Sequence, residues 1–320
     1  MEKWVLAIDV GGTFTKLGLV NAKGDILGAK VYDTGAKLPY KDFLSKLGIE
    51  LRQLLSTHGK GIDVVAAGVG APNANMHTGQ MEDPPNFNWG TRVPLAKSIE
   101  DMCNLPTTIA NDANAAALGE MTFGMARGMK NFVVLTLGTG LGSGIIINGE
   151  LLTGENGMAG EIGHVNVDPH GRKCNCGLTG CLENYASVTG LKRTVFELIS
   201  EMREESTLKQ ISFDDLTGVM IADAAHNGDP IALKAFQLTG EVLGSKMADT
   251  AAHLDPEAFI LTGGLGKAGD LLLKPTIASM EKNLFIAYRG SIKVNISTAP
   301  SSHAILGPAA LAFHYHVDHS

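Results

Sequence analysis

The chain has little cysteine: four in 320 residues, too few for a disulfide framework. No stretch approaches the ~18–20 apolar residues of a membrane span. The opening "MEKWVLAIDVGG" carries an apolar run of only about five residues, short of the roughly 7–15 of a secretory leader, and no cleavage site follows. These absences lead to the expectation of a soluble, cytoplasmic protein. Long basic runs are missing too, and the formal net charge is −7. A duplex-binding protein normally presents a basic face, so nucleic acid is not an expected partner, and neither is a membrane. Neither GxxxxGK nor GxGxxG occurs, which removes the Walker P-loop and the dinucleotide fingerprint. No Pro- or Ser-rich linker divides the chain.

Hydrophobic residues make up 44% and charged residues 18% of the sequence, enough apolar material for two packed domains at this length. "WVLAIDV" (4–10) reads as a buried strand, and the following residues as hairpin strands with a turn at Asn21–Gly24. Residues 41–57 space their leucines as a helix, 63–73 is an apolar run into a Gly/Pro turn, 107–112 is a third strand, and 113–128 is strongly helix-forming. Then "FVVLTLGTGLGSGIIING" (132–149) repeats the layout of the N-terminal hairpin, which implies two similar α/β lobes. Residues 188–253 are mostly helical in pattern, strands are expected at 257–269 and 291–299, and a closing helix at 303–313. Alternating strands and helices imply α/β architecture, with lobes that meet along a cleft.

The cysteines are concentrated. Cys174, Cys176 and Cys181 fall within eight positions of "EIGHVNVDPHGRKCNCGLTGCLEN" (161–184). Cys174 and Cys176 are too close in sequence to bridge without strain, and a trio leaves one unpaired. Three thiolates and an imidazole make a Cys3His set, a standard tetrahedral zinc site, and Gly171, Gly177 and Gly180 let the backbone turn tightly enough to aim the sulfurs together. His164 and His170 both remain open as the fourth ligand.

Three glycine turns follow strands: "DVGGT" (9–13), "LGTGLG" (137–142) and "LTGGLG" (261–266). Backbone N–H groups in such turns form anion nests, so the trio points to nucleotide phosphates. Asp9 beside the first turn would repel phosphate unless a cation such as Mg²⁺ lay between them; the plain alternative is an aspartate accepting turn N–H bonds. In "ANDANAAA", Asp112 stands where a strand meets a helix. It suits either a base that takes a proton from an attacking hydroxyl or a helix N-cap. Asn86, Asn111, Asp112, Glu161, His164 and Glu183 are rich in acceptors and poor in positive charge, which suits a neutral polyol.

Together, "DVGGT", "GAPN" (70–73), "PNFNW" (85–89), "ANDANAAALGE" (110–120), "GTGLGSG" (138–144), "GEIGHVNVDPHGRKCNCGLTGCLE" (160–183) and "LTGGLG" resemble the ROK family of repressors, uncharacterised reading frames and sugar kinases. The resemblance implies the two-lobed actin-like, ribonuclease-H-like ATPase fold with a central cleft. The expected division is residues 1–112 with 304–320 as a small lobe, and 113–303 as a large lobe carrying the zinc loop. It also implies ATP-dependent phosphorylation of a hexose, most often glucose at its 6-hydroxyl. By position Asp112 looks like the catalytic base, and Asn86, Asn111, Asp112, Glu161, His164 and Glu183 look like the sugar ligands. Asp9, Gly11, Gly12, Thr13, Gly138, Thr139, Gly140, Gly263 and Gly264 look like the ATP and Mg²⁺ site. The family's histidine of "EIGH" ligates zinc, which favours His164 with Cys174, Cys176 and Cys181. Asn88 stands where the family often has glycine, which puts the Asn86 loop in question. The alternative acceptors are fructose, mannose, allose, N-acetylmannosamine and N-acetylglucosamine. A sugar-sensing transcriptional regulator is the rival from another class, but "DVGGT" begins at residue 9 and leaves no room for the helix-turn-helix that such repressors carry ahead of it. A homodimer or homotetramer is the expected assembly.

Overall fold

In the computed structural model, which describes residues 2–298 and 304–318, the chain forms two compact units. The first comprises residues 1–128, 151–159 and 298–320; the second, 129–150 and 160–297. This division differs from the expected boundary at Asp112. The helix that Asp112 begins lies in the first unit, and so does the short segment after the second hairpin.

Strands β1 (Lys3–Val10), β2 (Phe14–Asn21) and β3 (Ile26–Asp33) form an antiparallel meander in the first unit. Helix α1 (Tyr40–His58) buries Phe43, Leu47, Leu51 and Leu54, the stripe that its leucine spacing predicts. Strand β4 (Asp63–Gly70) then pairs parallel to β1. A small sheet of β5 (Ala74–Asn75), β6 (Gln80–Glu82) and β7 (Arg92–Val93) leads into α2 (Leu95–Cys103), β8 (Thr107–Ala110) and α3 (Asp112–Thr122). The helix expected over 113–128 therefore stops at Thr122. There the Glu120 carboxylate accepts the Met125 N–H (2.9 Å) and its carbonyl accepts the Gly124 and Ala126 N–H groups, which turns the chain off the helical path.

The second unit repeats the plan. Strands β9 (Phe132–Leu137), β10 (Leu141–Ile147) and β11 (Glu150–Leu151) form its hairpins. Helices α4 (Val188–Glu201), α5 (Gly218–His226) and α6 (Pro230–Leu254) precede β12 (Ala258–Thr262), α7 (Asp270–Asn283) and β13 (Lys293–Ile296). The sheet orders are β3-β2-β1-β4-β8 and β11-β10-β9-β12-β13, so each strand of one has its counterpart in the other. The duplication inferred from the two glycine hairpins thus extends to the whole sheet. Helix α8 (Leu306–Phe313) closes the first unit, packing Ala309, Ala312 and Phe313 on Val5, Ala7 and Ala66. Residue 299 of the expected strand and His303 of the expected helix lie outside the described residues. Among the described residues no helix is long and apolar enough to cross a membrane.

Candidate active site

Of the first unit's candidate residues, Asp9, Gly11, Gly12 and Thr13 lie at the turn between β1 and β2, Asn111 and Asp112 lie at the end of β8, and Asn86 lies on the loop between β6 and β7. The turn after β1 is held from behind. Thr34, buried at the end of β3, donates its hydroxyl to Gly11 O (2.7 Å) and its N–H to Thr13 O (2.8 Å). The Gly11 N–H closes the turn on Phe14 O (3.0 Å). The turn's carbonyls are therefore tied back into protein. The N–H groups of Gly12 and Thr13 have no acceptor among the described residues, as a phosphate nest requires.

Asp9 does not accept turn N–H groups. Its partner is Lys16, directly across the hairpin in register, with Nζ 3.5 Å from Oδ2. Burial pushes the Asp9 carboxyl up to about 6; Lys16 pulls it down, and the charge of Asp112 adds to the rise. Sequence reading missed Lys16. The signal was available: pairing outward from the glycine turn puts residue 16 opposite residue 9.

Of the two roles open for Asp112, the helix N-cap falls to its neighbour Asn111. Asn111 is the N-cap of α3, its side chain accepting the Ala113 N–H at 2.8 Å. Asp112 is the first helical residue, with Oδ1 on the same N–H (2.8 Å). Surrounding protein raises its carboxyl above the ordinary range, while the Ala113 N–H opposes the rise. The side chain nonetheless has a face open to solvent, which screens the shift and limits its energetic cost. Asn86 is exposed in a left-handed conformation, φ 67°. Asn88, the departure from the family pattern, fastens that loop: its N–H reaches Ala36 O (2.8 Å) and its side-chain amide reaches Lys37 O (3.0 Å).

The second unit carries the metal-ligand set and two glycine turns. Ligand atoms of His164, Cys174, Cys176 and Cys181 all lie within 4.8 Å of one another. Cys176 and Cys181 sulfurs are 3.7 Å apart, and Cys174 Sγ is 3.9 Å from His164 Nδ1. A tetrahedron with Zn–S near 2.3 Å has sulfur–sulfur edges of about 3.8 Å, so the set fits zinc. His170 is outside it; its N–H closes an Asx turn on Asp168 (2.9 Å). Burial and the neighbouring thiols push Cys181 up to about 12, a crowding of sulfur that a divalent cation relieves. His164 presents Nδ1 to the sulfurs and Nε2 toward Glu161, 3.8 Å from Oε2.

Arg172, inside the loop, anchors it to α4. Its guanidinium reaches Glu197 Oε1 (2.9 Å), Asn184 O (2.6 Å), Gly190 O (3.1 Å) and Thr194 Oγ1 (2.9 Å), and it stacks 4.5 Å from the Tyr185 ring centroid. The two glycine turns end adjacent parallel strands, since Thr136 of β9 pairs with Thr262 of β12. Gly263, at φ 90°, approaches the β9 end so closely that a Cβ would lie 2.6 Å from Leu137 O.

The sequence model of the ROK family matches residues 5–314. This chain belongs to the ROK family. A curated glucokinase of Halalkalibacterium halodurans is 37% identical over 314 residues, covering 96% of this chain and 94% of that protein. Among solved structures, a ROK family glucokinase from Streptomyces griseus in complex with glucose and AMPPNP matches with TM-score 0.80 and 33% identity, over 97% of this chain and 99% of that one. A ROK family transcriptional regulator, a homologue of the E. coli MLC protein, matches with TM-score 0.87 and 27% identity, over 97% of this chain and 78% of that one. The ROK fold thus serves both a kinase and a regulator, and likeness of fold does not choose between them.

Proposed function

We propose that this ROK protein is an ATP-dependent hexose kinase that phosphorylates glucose at its 6-hydroxyl. The observation that carries the reading is Asp112. Asn111 takes the capping role, so the Asp112 carboxylate has an oxygen left for a substrate hydroxyl at a helix N-terminus. Strand β8 before it and β1 before the Gly11–Thr13 turn both run parallel to β4, so both sites lie at the carboxyl ends of these strands. A regulator needs no base there.

The roles follow unit by unit. In the first unit, Asp112 accepts the proton of the attacking hydroxyl, and Asn86 and Asn111 offer amides to sugar hydroxyls. Gly12 and Thr13 present N–H groups to phosphate on the turn that Gly11 closes, and Asp9 is the carboxylate suited to Mg²⁺, its pKa raised mainly by burial. Mg²⁺, when bound, supplies charge neutralisation on the transferring phosphoryl group. In the second unit, Gly138, Thr139, Gly140, Gly263 and Gly264 provide further phosphate and nucleotide contacts. Glu161, His164 and Glu183 hold sugar hydroxyls. His164 Nδ1 and the thiols of Cys174, Cys176 and Cys181 would hold zinc, which would fix the loop and leave His164 Nε2 for the sugar.

A coupled ADP-release assay over glucose, fructose, mannose, allose, N-acetylmannosamine and N-acetylglucosamine tests the reading. The expected result is the highest kcat/KM with glucose. A higher value with an N-acetylhexosamine reassigns the acceptor, and no release with any sugar overturns the proposal.

A further inference from the structure

The turn at Gly138–Gly140 is built differently from its counterpart at Gly11–Thr13. Gly138 O accepts the Val188 N–H (2.9 Å) and Thr139 O accepts the Thr189 hydroxyl (2.8 Å), both from the first turn of α4. The Leu141 N–H, which closes the turn, donates to Glu183 Oε2 at 3.0 Å. The packing is tight: a Cβ on Gly140 would lie 2.2 Å from that same oxygen. The other carboxylate oxygen, Oε1, receives the Cys174 thiol at 3.8 Å. Among the described residues, the hydrogen bonds that reach this turn from outside it come from residues 183–189, just after Cys181. The remaining N–H groups, of Thr139 and Gly140, have no acceptor among the described residues.

Glu183 belongs to a short 3-10 turn, Leu182–Asn184, that starts at Cys181 and is clamped by Arg172 on Asn184 O. A metal drawing Cys174 and Cys181 to one point fixes the chain at Cys181, the residue from which the short turn carrying this carboxylate starts. Without it, Glu183 keeps its own short turn, the Leu141 N–H bond and the long contact from the Cys174 thiol, and the chain on its Cys181 side loses the metal anchor. We infer that Glu183 is a positioning residue that ties the metal loop to the Gly138–Gly140 turn, so that occupancy of the Cys3His set strengthens nucleotide binding as well as sugar binding. The inference rests on the reading of that turn as a phosphate nest. A carboxylate has acceptor capacity for about four donors, so this tie leaves room for the sugar hydroxyl proposed above.

The test uses the full chain without sugar, so that loss of a sugar contact does not register. MgADP is titrated calorimetrically into zinc-loaded protein and into protein stripped with a chelator and dialysed back into Mg²⁺. Amide exchange at Leu141 is followed in both, with α6 as the internal control. The expected result is at least a tenfold weaker MgADP Kd after stripping and faster exchange at Leu141, with α6 unchanged. Glu183→Ala, with zinc content confirmed, should weaken MgADP similarly and leave little further loss on stripping. Glu183→Gln keeps an oxygen for the Leu141 N–H and should retain most of the affinity. Equal MgADP affinity before and after stripping, or Glu183→Ala binding like wild type, overturns the inference alone. Should Glu183→Ala not fold, the exchange of Leu141 in stripped wild type decides. Zinc-loaded wild type that binds no MgADP overturns the kinase reading and this inference with it.

Discussion

The turns at Gly11–Thr13 and Gly138–Gly140 end equivalent strands of two sheets with the same strand order, yet different things hold them. Both tie their carbonyls back and leave adjacent N–H groups without an acceptor among the described residues. The first is buttressed by Thr34, a buried residue of its own sheet, whose hydroxyl also meets Thr15 at 2.9 Å. The second is buttressed by α4 and by Glu183, a residue of the metal loop. The lesson is that duplication preserved the glycine turn and not its support. One turn is held by Thr34, the other by α4 and by Glu183 beside the Cys3His set. The charged groups divide likewise: Asp9, Lys16 and Asp112 gather in the first unit, the Cys3His set in the second.

The division can be broken at its strongest point. Asp112→Asn should keep sugar affinity and lower kcat by about 10³-fold, since a positioned base contributes roughly 10²–10⁴; glucose titration and turnover of the same preparation separate the two. Next comes the metal. Chelation or Cys176→Ser should weaken glucose by on the order of a hundredfold, because His164 and Glu183 lose their geometry together and each charged hydrogen bond is worth about 1.5–3 kcal/mol. Calorimetry with glucose checks this, and an unchanged Kd would detach the loop from the sugar.

A smaller effect sharpens the contrast. Thr34→Ala leaves Gly11 O without its hydroxyl donor and should weaken MgADP by about tenfold, near 1.4 kcal/mol. The loss should be the same with and without zinc, whereas that of Glu183→Ala should not. Thr34→Ser should restore binding.

The smallest effect concerns pH. Burial raises Asp9 to about 6, so the folded chain holds this proton more tightly than the unfolded chain does. Its stabilising contribution is present at low pH and lost as pH rises through about 6, and at neutral pH its charge costs stability that Lys16 reduces. The carboxylate is the form suited to Mg²⁺, so kcat/KM should fall as pH drops through about 6. Lys16→Met removes a charge that lowers the Asp9 pKa and should move that limb to higher pH. A pH–rate profile that does not move would take Asp9 out of the reaction.

Much of this was legible beforehand. The glycine hairpins revealed the duplication because a strand, a turn and a second strand are local patterns. The "EIGH" to "CLE" segment revealed the metal set because its spacing is local too; residue types alone left His164 and His170 open, the family resemblance favoured His164, and the closed loop brings His164 to the thiols. Three residues stayed hidden: Lys16, Thr34 and Arg172. Each acts through a partner set by strand register or loop closure, and no periodicity marks it. The ambiguity of Asp112 had the same origin. Neighbouring Asn111 and Asp112 both suit a cap, and only the start of α3 shows which takes it.

The most direct test of the account is a ³¹P NMR spectrum of zinc-loaded protein with MgATP and glucose. The account predicts ADP and, in equal amount, a phosphomonoester whose phosphorus is split by the two protons on carbon 6. ADP accompanied only by inorganic phosphate, or ATP left intact, would contradict it.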